Sequence, residues 1–246
     1  VPNFQGGAIA SSVQHLIEGD EIPMNLDQRS FRKQYRDWAR LYREDSWFAC
    51  LSAFVCPPVS SRWGQDRQAF LSLWHDRFGL ILGGGNSKDQ TEWSSFVADG
   101  RFVPDQGELL PDGAGVALTY RNVRCLLRLW FEGAKVIIES TAGGGPALQQ
   151  FVVQVKPGDT VRSATGHETK LTDNPLHWGP RELGGWIETN GCRIAAPPGA
   201  EFRWPTAAFN PYAADGAPAF GSERGILAAR IDGQPVRWEI EIGGSR

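Results

Sequence analysis

Several kinds of residue and pattern are scarce in this chain, and each scarcity removes a class of function. Its 246 residues hold four cysteines, four histidines and one methionine. Cys50, Cys56, Cys125 and Cys192 form no C-x-x-C and no Cys/His cluster, which argues against zinc, and no metal or cofactor is expected. Each cysteine sits in an apolar stretch and reads as a small buried hydrophobe. Their spacing allows one disulfide without choosing it, so the compartment stays open. No apolar run approaches the ~20 residues of a membrane helix, and no membrane partner is expected. The opening VPNFQGGAIASS lacks a methionine, a basic n-region and an apolar h-region. It is not a signal peptide and reads as the start of a trimmed chain. The formal charge of −3 gives no global field toward nucleic acid. There is no G-x-S-x-G nucleophile elbow. Carboxylates such as Glu139, Glu182 and Glu188 are not paired by anything in the sequence at the separation a glycosidase needs.

What is abundant points to short strands and tight turns: 29 glycines and ten tryptophans, with 41% apolar and 22% charged residues overall. Hairpin signals recur after Trp47. Gly133-Ala134 separates two apolar runs, and Asn190-Gly191 and Asp232-Gly233 do the same. Pro157-Gly158 and Pro198-Gly199 suit type II turns. The spacing predicts roughly twelve strands in one large antiparallel β-sandwich over 46–246. WFACLSAFV reads as a fully buried strand.

The first 45 residues read as a short helical segment of two helices. Ile9, Val13, Leu16 and Ile17 fall at helical spacing before Gly19. Phe31, Tyr35, Trp38 and Tyr42 repeat the pattern after Asp27, a fair N-cap. Two aromatic stripes of this width require cover, from the β domain, an upstream helical domain or a second chain.

The stretch WHDRFGLILGGGNSK, from Trp74 to Lys88, concentrates the chemistry. It misses a Walker loop because Gly85 stands where Lys is required, and a dinucleotide fingerprint because Lys88 stands where Gly is required. FLSLW and FGLILG read as two strands joined at His75-Asp76-Arg77, with the glycines releasing the chain into a long loop. A histidine at a turn is commonly a surface or capping residue, yet a neutral imidazole is also the usual general base near pH 7. His177-Trp178, in the Pro-rich loop NPLHWGP, reads either as a sugar platform or as an aromatic pair pinning the loop. The loops 84–114, 164–181 and 210–224 are long and polar, as functional loops tend to be.

Taken together, an aromatic-rich helical tail, then WHDRFGLILGGGNSK, then GWIETNGCRIAAPPGAEFRWPTAAFNPY resemble the C-terminal part of heparinase II/III-like polysaccharide lyases. The resemblance implies an α/α-toroid tail over 1–45 and an antiparallel β super-sandwich over 46–246. It implies β-elimination on an acidic, uronate-containing polysaccharide, with His75 as the catalytic residue contributed by the β domain. Arg77, Asn86 and Lys88 would hold carboxylate or sulfate, and His177, Trp178 and Tyr212 would stack on or bond the sugars. A structural zinc of some family members is not expected here, because the chain has no H-x-H. The resemblance also implies a periplasmic or secreted location. With only two helices of a toroid present, the catalytic cleft would be incomplete, so enzymatic activity of this chain by itself stays open. The alternative expectation is a non-catalytic carbohydrate-binding or structural interaction domain.

Overall fold

Side-chain alternation shows where strands bury one face. In Val123–Glu132, Val123, Cys125, Leu127 and Leu129 are buried while the residues between them are not, the period-2 signature of a sheet packed on one side. A computed structural model describes residues 30–84, 87–219 and 221–243, and within them the chain forms nineteen strands. The strands are β1 (Ser30–Tyr35), β2 (Ala39–Glu44), β3 (Trp47–Ser52), β4 (Leu71–His75), β5 (Gly79–Leu82), β6 (Phe96–Ala98) and β7 (Gln106–Leu109). Next come β8 (Gly115–Tyr120), β9 (Val123–Glu132), β10 (Lys135–Gly143), β11 (Ala147–Val153), β12 (Thr160–Ser163), β13 (Glu168–Lys170) and β14 (Leu176–Trp178). After a four-residue helix, α1 (Pro180–Leu183), the chain closes with β15 (Trp186–Thr189), β16 (Cys192–Ala195), β17 (Glu201–Ala207), β18 (Glu223–Ile231) and β19 (Val236–Ile242).

These strands make two antiparallel sheets. The larger has ten strands in the order β1-β2-β3-β4-β5-β11-β18-β17-β14, with β6 added on β11. The smaller has nine, in the order β13-β12-β15-β16-β19-β10-β9-β8-β7. Their inner faces meet in one core. Phe151 of β11 packs edge-on against Trp238 of β19 with ring centroids 5.2 Å apart, and Phe96 meets Tyr120 at 6.4 Å.

The β-sandwich is as expected, but the second helix is not there. The first expected helix, at 9–17, lies outside the described residues. Over 30–44 the chain forms β1 and β2, a hairpin that extends the sheet holding β3. The aromatic spacing misled because a turn interrupts it. Arg36 takes a positive φ of 48°, so Tyr35 and Trp38 flank a bend and lie at 59% and 48% exposure, not on one apolar stripe. Tyr42 alone of the four turns fully into the core. β3 likewise alternates, with Trp47, Ala49 and Leu51 buried and Phe48, Cys50 and Ser52 half-buried.

The glycine turns divide into two kinds. Gly133-Ala134 joins β9 to β10 and Asn190-Gly191 joins β15 to β16 as tight hairpins, the latter with both residues at positive φ (50° and 81°) as a type I′ turn requires. Asp232-Gly233, Pro157-Gly158 and Pro198-Gly199 carry the chain from one sheet to the other. Asp232-Gly233 is therefore a corner, not a hairpin.

Candidate functional site

His75 ends β4 at the turn expected from the sequence. Its ring meets Trp47 edge-on at 4.7 Å and Phe78 at 5.5 Å, and Nδ1 accepts the Arg77 backbone N–H at 3.2 Å. Burial holds its pKa below the ordinary 6.5; Asp76 opposes this, and Arg77 and Arg43 reinforce it. Asp76 is itself clasped by both Nη atoms of Arg43, at 2.9 and 2.5 Å. The Arg77 guanidinium lies over the Phe78 ring at 5.1 Å. His75 is thus an imidazole wedged between two rings.

The glycine run does what a strand exit requires. Gly83 and Gly84 both have positive φ, and a Cβ on Gly83 would stand 2.0 Å from the Leu71 carbonyl oxygen. Asn86 lies outside the described residues. Lys88, two residues on, turns inward: its Nζ donates to Asp66 Oδ1 at 2.8 Å and to the Val59 carbonyl. The second oxygen of Asp66 accepts the Asp89 N–H at 2.9 Å.

These bonds shape a groove of about 490 Å³ bounded by Pro58–Arg62, Lys88, Asp89 and Phe209. Its far wall is fixed from the same loop: the Phe209 N–H donates to Ser87 Oγ at 3.0 Å and Gln90 Oε1 at 2.8 Å, while Gln90 Nε2 donates to the Ala207 carbonyl at 2.9 Å. Gly216 lets the 209–216 loop fold tightly, since a Cβ there would strike the Phe209 ring at 2.2 Å. Next in chain to the lining residue Arg62, Trp63 is 60% exposed, and Tyr212 is 83% exposed. Their rings touch edge-on, 5.6 Å apart, and the Arg62 guanidinium covers the indole at 4.6 Å. Of the residues expected from the sequence, Lys88 lines this groove, and Tyr212 stands outside the lining against Trp63. Trp63, Arg62, Asp89 and Phe209 were not anticipated. The signal for Trp63 was a tryptophan inside the loop sequence PPVSSRWGQ, with no strand or helix pattern around it to bury it.

His177 and Trp178 part company because successive strand residues face opposite sides. Trp178 points into the core at 4% exposure, beside Phe202, and has no face for a sugar. His177 points outward. Its Nε2 lies 3.0 Å from Glu201 Oε2, the other Glu201 oxygen lies 3.3 Å from Arg203 Nε, and Arg203 Nη2 donates to Gln150 Oε1 at 3.0 Å. Gln150 Nε2 in turn reaches the Thr91 carbonyl at 2.7 Å. This polar row runs from His177 on β14 through Glu201 and Arg203 on β17 to the buried Gln150 on β11, and ends at the Thr91 carbonyl. His75 and His177 are five strand positions apart in the larger sheet, about 24 Å at the usual spacing, so they do not form one site.

Among the described residues no group of three His, Cys, Asp or Glu side chains could hold a metal ion. All four cysteines are free, and burial pushes the thiols of Cys125 and Cys192 up to about 12, where they are neither nucleophiles nor ligands.

No family model matches the chain, and no curated protein does. Solved structures do. A crystal structure of a candidate mutarotase (YeaD) from Salmonella typhimurium is 12% identical, with 96% of this chain and 100% of that chain covered and a TM-score of 0.47. A candidate aldose 1-epimerase from Escherichia coli K12 is 8% identical, with 81% and 97% covered and a TM-score of 0.45. Neither is described as a lyase, and the expected membership of the heparinase II/III-like family is corrected accordingly. With it go β-elimination and the acidic-polysaccharide partner. The phrases that suggested the family have a plainer origin. WIETNGCRIAA is the β15–β16 hairpin and APPGAEF a corner between sheets, which are generic needs of an antiparallel sandwich.

Proposed function

We propose that the protein binds a neutral carbohydrate in the groove beside Trp63 and Tyr212. The observation that carries this is the exposed ring pair itself. Large aromatics left in water at a groove mouth mark an interaction site more often than a chance surface, and their flat faces suit the apolar C–H face of a pyranose. Arg62, Asp89, Ser60 and Ser61 supply donors and acceptors for hydroxyls along the groove. Its volume falls in the range of small-ligand sites. The test is calorimetric titration with glucose, galactose, mannose and their disaccharides. Replacing either ring, as Trp63→Ala or Tyr212→Ala, is expected to weaken binding about tenfold, or about 1.4 kcal/mol, with the melting temperature unchanged. Absence of binding to every sugar, or binding by both variants as tight as that of the wild type, refutes it.

The His177–Glu201 pair favours a second reading, in which the outer sheet face performs proton transfer on a bound sugar. Interconverting anomers through the open chain requires a proton to leave O1 while one reaches the ring oxygen. An exposed imidazole held by a carboxylate can take one and supply the other. Polarimetry of freshly dissolved α-D-glucose tests it: the wild-type chain should speed the decay of rotation and His177→Ala should not. No acceleration by the wild type eliminates this reading.

A further inference from the structure

A second pocket adjoins the Trp63 groove. It has a volume of about 460 Å³ and is lined by residues that include Val55, Pro57, Pro58, Phe102, Arg101 and Asp105. Pro58 bounds both spaces. We infer, resting on the carbohydrate reading above, that the two form successive subsites and that the ligand is an oligosaccharide whose second unit sits against Phe102.

The lining matches a sugar ring better than a purely apolar guest. One side is apolar, formed by Val55, the half-buried Phe102 and the prolines. At the rim stands an ion pair, Arg101 Nη1 to Asp105 Oδ1 at 2.7 Å, with both side chains about two-fifths exposed (42% and 41%). A pyranose has the same division, with C–H groups on its faces and hydroxyls around its edge. Pro57, Pro58 and Pro104 carry no backbone N–H and have a fixed φ, so these walls offer no main-chain donor and are stiff before a ligand arrives. A monosaccharide stacked on Trp63 would leave this second space unused, whereas a linked pair of rings would span Pro58.

The experiment is calorimetry on the full chain with two neutral series, glucose–maltose–maltotriose and glucose–cellobiose–cellotriose. In at least one series affinity should rise tenfold or more from the monosaccharide to the longer sugars. Phe102→Ala should abolish that rise and leave monosaccharide binding unchanged. Arg101→Gln, an exposed change that spares the packing of Phe102, should reduce the rise if the first variant folds poorly. Trp63→Ala should weaken binding at every length. Monosaccharide binding with no gain on lengthening in either series overturns the second subsite while leaving the carbohydrate reading intact. Failure of every sugar to bind overturns both.

Discussion

Lys88 Nζ lies 2.8 Å from Oδ1 of Asp66, whose side chain is wholly buried, while the lysine side chain retains 11% exposure. A cation expected to meet a ligand is instead committed to the protein. Its role is to anchor the loop that leaves β5 and thereby to set one wall of the groove. Removing one member of a buried pair strands the other, typically at about 3–5 kcal/mol. Lys88→Met is therefore expected to lower stability by about 3 kcal/mol in urea unfolding. Adding Asp66→Asn should recover part of that loss, because the amide keeps an acceptor for the Asp89 N–H and carries no charge. A Lys88→Met variant as stable as wild type would show that the pair anchors nothing.

Gly83 leads the chain out of the sheet with φ +81°, its N–H bonded to the Val152 carbonyl at 2.8 Å. A methyl group there would stand 2.0 Å from the Leu71 carbonyl oxygen, so both conformation and space demand glycine. Gly133 has φ +61° with nothing within 4 Å of an added Cβ. Gly133→Ala should cost only the left-handed backbone penalty, about 1–2 kcal/mol, and Gly83→Ala clearly more. Comparison of the two melting temperatures decides it, and equal losses would contradict the steric argument.

His75 makes a pH-dependent contribution whose sign is set by its surroundings. Burial lowers its folded pKa below the unfolded 6.5, so between those two values the unfolded chain binds more proton than the folded one. The stabilisation is fully present above about pH 6.5 and is lost as pH falls through the lowered folded value. Imidazole NMR should place the His75 midpoint below 6.5. Unfolding measured from pH 8 to 5 should show a decline in the wild type that His75→Phe lacks. A midpoint at or above 6.5 would mean that Trp47 and Phe78 do not desolvate the ring.

Strands were legible where apolar runs flank a tight turn, as β9 and β10 flank Gly133-Ala134 and β15 and β16 flank Asn190-Gly191. They were missed at 30–44, because aromatic residues on two strands and the turn between them happened to fall at helical spacing. The site was harder to read for a topological reason. Arg62 and Trp63, Lys88 and Asp89, and Phe209 and Tyr212 lie on three loops separated by as much as 150 residues of chain, and the strand order β4-β5-β11-β18-β17 brings those loops to one region of the larger sheet. Tyr212 and Lys88 were visible singly as polar-loop residues, but the groove that Lys88 lines was not. Trp178 and His177 show the converse: adjacent in sequence, they face opposite sides of one strand.

Trp238, Gln149 and Ser140 form a buried polar contact that ties the two sheets together within the core. Trp238 Nε1 donates to Gln149 Oε1 at 2.9 Å and Gln149 Nε2 donates to Ser140 Oγ at 2.7 Å, with all three residues at 1% exposure or less. Gln149 comes from the larger sheet, its partners from the smaller, so the bonds fix how one sheet sits on the other. Trp238→Phe leaves the buried Gln149 carbonyl without its donor, an expected loss of about 1–3 kcal/mol before the vacated volume is counted. Gln149→Leu strands both the indole N–H and the Ser140 hydroxyl and should cost more. Removing all three polar groups together, as Gln149→Leu with Trp238→Phe and Ser140→Ala, leaves nothing unsatisfied, and its loss should fall well below the sum of the single losses. Strict additivity of the single changes in urea unfolding would show that the three groups act independently, and the idea of a shared lock between the sheets would fail.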